Sequence, residues 1–152
     1  MRKVKILLAL NIRMKCLLME AFVFLALARL LKTFSFAKIA PSLGERMKET
    51  STDIDNGYKK TLMEISQAID MISKYTFWES ECLVRGIAAL KMLERRKIES
   101  TLYLGTAKDE AGKLMAHAWL RSGPFCITGA EGMERFTMVS TFAKTIEMKD
   151  KR

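Results

Sequence analysis

The spacing of apolar residues changes once along the chain, near residue 99, from a helical period to the period of β-strands. Before this point apolar residues recur every three or four positions, as in Leu62, Ile65 and Ile69. After it, short segments rich in Thr, Tyr, Leu and Phe are separated by turns that contain glycine. Helices followed by a small antiparallel sheet predict an α+β fold.

The composition is that of one globular domain. The 152 residues are 49% hydrophobic and 28% charged, and only 8 Gly and 2 Pro argue against a disordered or linker-rich chain. Three cysteines that lie far apart, with one histidine, argue against a zinc cage and against a disulfide framework. We therefore expect no metal and no cofactor. The odd number of thiols is typical of a reducing compartment, and we expect a cytoplasmic protein.

The net charge of +9 belongs mostly to the first third of the chain. Residues 1–50 hold 10 basic and 3 acidic side chains, whereas residues 51–152 hold 16 and 14. A basic chain often binds nucleic acid. Here, however, there is no zinc finger, no aromatic motif of an RNA-binding sheet and no basic patch interleaved with aromatics, so we expect no nucleic-acid partner.

Residues 3–38 are dense in Leu, Ala, Met and Phe. Their longest unbroken apolar run covers residues 21–28, whereas a membrane span needs about 20 residues. Asn11, Arg13 and Lys15 also interrupt the apolar part of a secretory signal. We predict one or two helices, ending at residues 41–44, that cover a core or meet a partner. Adsorption to a membrane surface is the less favoured alternative, and no membrane contact is expected.

Two further helices are predicted before the sheet. The first begins at Ser51 or Thr52, where Thr52 and Asp55 resemble a capping box with a shortened acid. Its apolar stripe, which we assign to packing, contains Ile54, Tyr58, Leu62, Ile65, Ile69 and Ile72. The second helix has an apolar face and a basic last turn. The face contains Leu83, Ile87, Leu90 and Leu93 or Met92, and the last turn contains Arg95, Arg96 and Lys97.

Cys82 lies at the predicted start of this second helix, with Ser80 as its N-cap. The free N–H groups and the positive dipole end of a helix favour a thiolate there. The carboxylates of Glu79 and Glu81 oppose it. The position therefore permits activation of the thiol without requiring it.

Three strands are predicted after the helices, at residues 100–107, 114–121 and 125–128, with a hairpin loop at residues 108–113. Residues 132–146 are apolar and β-branched and are assigned to no element. In the second strand, alternation places Met115, His117 and Trp119 on one face. A lone His or a lone helical Cys is more often structural than catalytic. Together, a Cys that opens a helix and a His on a later strand form the arrangement that a thiol hydrolase uses.

Four segments in this order resemble the leader peptidase of lasso-peptide biosynthesis. They are CLVRG at 82–86, LERRKI at 93–98, LYLG at 102–105 and AHAWL at 116–120. Roughly residues 78–142 share this resemblance, and residues 20–44 resemble the helical N-terminal part of the family. That family is the transglutaminase-like cysteine protease half of a split maturation protease. The resemblance implies a transglutaminase/papain-like fold, with a helical, basic region over residues 1–50 and a protease core over residues 51–152, packed as one compact unit.

The resemblance also implies roles and partners. Cys82 is the nucleophile and His117 the general base and acid that remove the leader from a ribosomally made precursor. A separate small protein binds the leader, and an ATP-dependent cyclase acts on the freed core. An Asp normally follows the His in this superfamily, but the corresponding stretch, residues 125–129, contains no carboxylate. The groups left to orient the imidazole are Glu131, which lies just beyond this stretch, and a side-chain or backbone carbonyl. The alternative is a non-catalytic scaffold in which Cys82 and His117 are structural and the basic N-terminal helices dock a partner.

Overall fold

The computed structural model describes residues 2–53, 56–75 and 81–146. Helices and strands are numbered in chain order. The helices are α1 (Arg2–Ala9), α2 (Ile12–Leu31), α3 (Phe36–Leu43), α4 (Lys59–Ser73) and α5 (Cys82–Arg95). The strands are β1 (Glu45–Arg46), β2 (Ser100–Lys108), β3 (Leu114–Ser122), β4 (Phe125–Thr128) and β5 (Thr137–Lys144). Short 3₁₀ turns cover Asn56–Tyr58 and Met133–Arg135.

The five strands form one antiparallel sheet in the order β1-β5-β2-β3-β4. The predicted hairpin joins β2 to β3 and places Gly105 opposite His117. The C-terminal segment that the sequence left unassigned supplies β5, which lies between β1 and β2. The predicted α+β class, with helices first and an antiparallel sheet after them, is confirmed.

The core lies between the helices and one face of the sheet. Along α2, buried side chains recur every three or four positions, because only one face of the helix meets α4 and α5: Leu17, Leu18, Ala21, Leu25 and Ala28. The predicted face of α5 is also buried, at Ile87, Leu90, Met92 and Leu93, and it meets the sheet side that carries Ala118 and Leu120. Leu83 is half-buried against the same core. The N-terminal helices therefore cover a core, as predicted.

An ion pair joins α2 to α5 across this core. Both carboxylate oxygens of Glu20 accept hydrogen bonds of 2.6 Å from the Arg96 guanidinium, and Arg95 lies 3.4 Å from the same carboxylate. Burial opposes ionisation of Glu20, but the hydrogen bond and charge of Arg96, helped by Arg95, outweigh it and lower the pKa of Glu20 below its usual 4.5. The carboxylate is therefore tied to the basic end of α5.

One predicted helix start is wrong. The helix expected from Ser51 or Thr52 begins at Lys59, after the 3₁₀ turn. The main-chain N–H of Thr50 donates to the Thr101 hydroxyl at 2.9 Å, and Arg121 donates to the carbonyls of Thr50 (2.8 Å) and Ser51 (3.2 Å). These bonds hold the segment against the sheet and prevent a helical turn there. The capping partner Asp55, like Ile54, lies outside the described residues.

The N-terminal region also differs in detail from its prediction. It forms three helices instead of one or two, and the last of them ends at Leu43 with Pro41 inside it. The predicted N-cap Ser80, like Glu79, lies outside the described residues; Glu81 is the N-cap of α5 and its side chain makes no capping bond. No helix in the described ranges is long and apolar enough to cross a membrane.

Candidate functional site

His117 lies on β3 with its ring in contact with two aromatic side chains. The ring centroids of Phe136 and Trp119 are 4.9 and 5.8 Å from that of His117. Ala118 and Leu120 are buried in the core, whereas His117 and Trp119 are half-buried, so the alternation predicted for this strand is confirmed. The imidazole is therefore held by packing against two aromatic rings.

A main-chain carbonyl orients this imidazole. Nε2 of His117 lies 2.7 Å from the carbonyl oxygen of Gly129. Because a carbonyl oxygen only accepts hydrogen bonds, Nε2 carries the hydrogen. In the neutral ring Nδ1 is then free of a proton and can accept one. Of the orienting groups left open by the sequence, the structure therefore joins His117 to a backbone carbonyl, while Glu131 lines the same cleft with an exposed side chain.

The backbone at Gly129 accepts only glycine without strain. Its φ of 75° lies in the left-handed region. An added Cβ would overlap the carbonyl oxygen of Ala118 and lie 2.9 Å from Cα and Cβ of Trp119. The aspartate expected near this position by family resemblance therefore has no room for its side chain at residue 129.

A cleft of about 560 Å³ opens beside His117. Part of its wall comes from α4, with Ser66 and Asp70, and from α5, with Arg85. Residues 126–131 line the opposite side. Among the described residues, the buried Arg85 Nε and the buried hydroxyl of Thr128 have no hydrogen-bond partner.

Cys82 is the first residue of α5, as the sequence predicted, and is half-buried against the core. The described residues that line the cleft include Arg85 but not Cys82. Positions 82 and 85 lie one turn apart on the same helix face, so the thiol lies at the end of the helix from which Arg85 enters the cleft. The carboxylate of Glu81, which is expected to disfavour a thiolate at Cys82, forms an ion pair with Lys32.

Cys126 also lines the cleft. Its thiol donates to the carbonyl oxygen of Thr128 at 3.3 Å. Burial raises the pKa of this thiol above its ordinary value of 9.0, which disfavours the thiolate. The register of β4 beside β3, with Arg121 opposite Cys126, is the signal that places this cysteine near the histidine strand.

A pair of stacked aromatic rings, Tyr103 and Trp119, lies next to the histidine. The rings of Trp119 and Tyr103 are parallel within 3° at 5.5 Å, and the Arg121 guanidinium lies 5.8 Å from the Tyr103 ring. Gly105 makes this possible, since a Cβ there would lie 2.9 Å from the Trp119 ring. The LYLG segment of β2 therefore shapes the support of the histidine.

The described residues contain no group of three His, Cys, Asp or Glu side chains that could hold a metal ion. Comparison with protein families matches residues 21–141 to the transglutaminase-like superfamily. Neither the curated proteins nor the solved structures gave a match to the chain. The family match covers most of the chain and includes α5, β3 and the cleft between them. The chain belongs to the transglutaminase-like superfamily, which includes cysteine peptidases.

Proposed function

We propose that the protein is a cysteine peptidase that removes the leader from a ribosomally synthesised lasso-peptide precursor, together with a separate leader-binding protein. The observation that carries the proposal is the fixed imidazole of His117, which lies in a cleft that also receives α5, the helix that Cys82 opens. Membership of the superfamily supports peptidase chemistry. The four sequence segments shared with lasso-peptide leader peptidases support the substrate.

In this mechanism Cys82 attacks the carbonyl carbon that joins leader and core. His117 Nδ1 takes the thiol proton and then gives it to the leaving amine, which frees the core peptide and leaves the leader as a thioester on Cys82. Water, deprotonated by His117, hydrolyses the thioester and restores the thiol. The backbone N–H of Cys82, at the start of α5, is a donor for the oxyanion.

The partners follow from the same proposal. The precursor's leader is the substrate segment, and the small leader-binding protein brings it to the cleft. The ATP-dependent cyclase consumes the freed core, because cleavage exposes the amine that cyclisation needs.

Cleavage of the precursor tests the proposal. The full chain is mixed with its leader-binding protein and a precursor peptide, and the products are identified by mass spectrometry. We expect Cys82→Ala to abolish cleavage and His117→Ala to slow it by about 10²–10⁴-fold. Cys126→Ala is the matched control, because it removes a thiol that lines the cleft beside His117, and it should retain cleavage. Equal activity of all variants, or loss only in Cys126→Ala, would contradict the proposal.

A non-catalytic scaffold is the second candidate, and one observation favours it: Cys82 is half-buried and does not line the described cleft. Thiol alkylation separates the two functions. A catalytic Cys82 should react selectively with iodoacetamide near neutral pH. Its rate of alkylation should fall by about tenfold or more in His117→Ala. Alkylation of Cys82 at the same rate with and without His117 would favour the scaffold.

A further inference from the structure

The outer sides of α1 and α2 expose a row of large apolar side chains, which we call the N-terminal apolar face. It contains Ile6, Leu8, Met19, Val23 and Leu30, and each of these side chains is more than half exposed. On α2 the members at 19, 23 and 30 lie on one side of the helix, while the core residues lie on the other. The face therefore follows a helix about 30 Å long and is not accounted for by the core.

The face is continuous between the two helices. A groove of about 480 Å³ separates α1 from α2, and Leu8, Met19, Phe22 and Val23 line it. Lys15 is the one charged side chain among the described lining residues. Exposed apolar side chains continue outside the groove, with Ile6 on α1 and Leu30 near the end of α2. The whole surface is therefore broader than a slot for one helix.

The part of the chain that carries this face is strongly basic. Residues 2–43 contain eight basic side chains and a single acid, Glu20. Glu20 points inward and is bound to Arg96. Among the described residues, Lys5, Lys15 and Arg29 form no ion pair. The helices that carry the exposed apolar side chains therefore contribute cations beside them, while the acids that pair with Arg13 and Lys32 come from other elements.

We propose that the N-terminal apolar face binds the surface of a bilayer that contains anionic lipids. Helices with exposed apolar side chains and Lys or Arg beside them lie in the interface, with the apolar side chains below the headgroups and the cations at the phosphates. A second copy of the chain is a poor occupant, because it would bring the same cations together. A single acidic helix would fill the groove and leave Ile6 and Leu30 exposed. A wide layer that is apolar inside and anionic at its surface matches both features.

Co-sedimentation with vesicles tests this inference on the full chain. Equimolar phosphatidylglycerol and phosphatidylcholine vesicles are compared with vesicles of phosphatidylcholine alone. We expect the protein to sediment with the anionic vesicles, to bind the neutral ones at least about tenfold more weakly, and to lose binding as salt is raised.

Variants separate the apolar and cationic contributions. Val23→Asp with Leu30→Asp, and Lys5→Glu with Arg29→Glu, should each weaken binding by about tenfold or more. The matched controls carry the same changes at exposed positions of the sheet and its hairpin loop, as Leu114→Asp with Val139→Asp and as Lys108→Glu with Lys113→Glu, and should bind like the wild type. Thermal unfolding shows that each variant is folded.

Three results would overturn the inference: equal binding to both kinds of vesicle, unchanged binding in the N-terminal variants, and no binding to vesicles at all. If the last result came with loss of the complex with the leader-binding protein in Val23→Asp with Leu30→Asp, the face would belong to a protein partner. Vesicle binding does not depend on the proposed peptidase activity, because Cys82→Ala should sediment like the wild type.

Discussion

His117 and Gly129 are joined by a hydrogen bond of 2.7 Å, from Nε2 of the ring to a main-chain carbonyl oxygen. A carbonyl fixes the ring and its tautomer, as a carboxylate does, but brings no full negative charge to the imidazolium. The acceptor belongs to Gly129, where the surrounding backbone leaves no space for a Cβ. Orientation of the histidine is therefore a property of the backbone path between β4 and the following turn.

Glu131→Gln tests whether a carboxylate takes part in orienting the histidine. Because the bond from His117 goes to the Gly129 carbonyl, we expect precursor cleavage to stay within about threefold of the wild type. Steady-state cleavage across a range of pH checks this. A loss of about hundredfold or more, with an unchanged thermal unfolding midpoint, would assign the orienting role to Glu131.

Gly129→Ala should lower the free energy of unfolding. Gly112→Ala is the matched control, because Gly112 also has a positive φ (81°) but no atom lies within 4 Å of an added Cβ. We expect the control to lose about 1 kcal/mol of unfolding free energy from backbone strain. Gly129→Ala should lose about 1–3 kcal/mol more, since the added carbon meets Ala118 and Trp119. Denaturant unfolding measures both, and equal losses would contradict the crowding at Gly129.

The sequence predicted the parts of this site that have a side-chain signal. His117 and Trp119 follow the alternation of β3, and Cys82 follows the start of an apolar helical stripe. The acceptor on Gly129 is a main-chain atom, which every residue possesses, so no residue type could reveal it. The position of Cys126 in the cleft depends on the register between β3 and β4, which is a property of the folded sheet.

Cys126 should remain protonated at neutral pH. Burial raises its pKa above 9.0, so we expect iodoacetamide to modify it at least about tenfold more slowly than the exposed Cys16, with a rate that still rises at pH values above 9. Peptide mapping by mass spectrometry measures each cysteine separately. A rate at Cys126 that reaches its plateau below pH 9 would contradict the raised pKa.

Glu20→Gln should weaken the joint between α2 and α5. Arg96 would lose its charged partner, and we expect a loss of about 1–3 kcal/mol of unfolding free energy at neutral pH. Asp70→Asn is the control, because its pair with Lys74 is exposed on both sides, and it should lose less than about 0.5 kcal/mol. Urea unfolding at neutral pH compares the two variants.

The same pair predicts a dependence on pH. The pKa of Glu20 is lowered in the folded state, so its contribution to stability is complete above 4.5, the usual value, and is lost as the pH falls through the lower folded value. The difference between the wild type and Glu20→Gln should therefore be constant near neutral pH and shrink below about pH 4.5. A difference that grew on acidification would contradict the lowered pKa.

Fold class was predictable and element boundaries were less so, for local reasons. The helical stripe of α5 is continuous, and its buried face matches the prediction at Ile87 and Leu90. The start of α4 was misplaced because Thr50 and Ser51 bond to Thr101 and Arg121, about 50 and 70 residues away. Bonds between such distant residues leave no trace in local spacing, and the same holds for β5, whose partners β1 and β2 lie far upstream.

The position of β5 has a consequence for folding of the chain during its synthesis on the ribosome. Among the described strands it comes last in the chain, yet it lies inside the sheet, between the first strand and β2. A nascent chain that stops before Thr137 exposes the edge of β2 and has no partner for β1. Contacts of such large sequence separation slow folding. The sheet therefore closes only after residues 137–144 have been synthesised, and until then the unpaired edge of β2 is open to association with other chains.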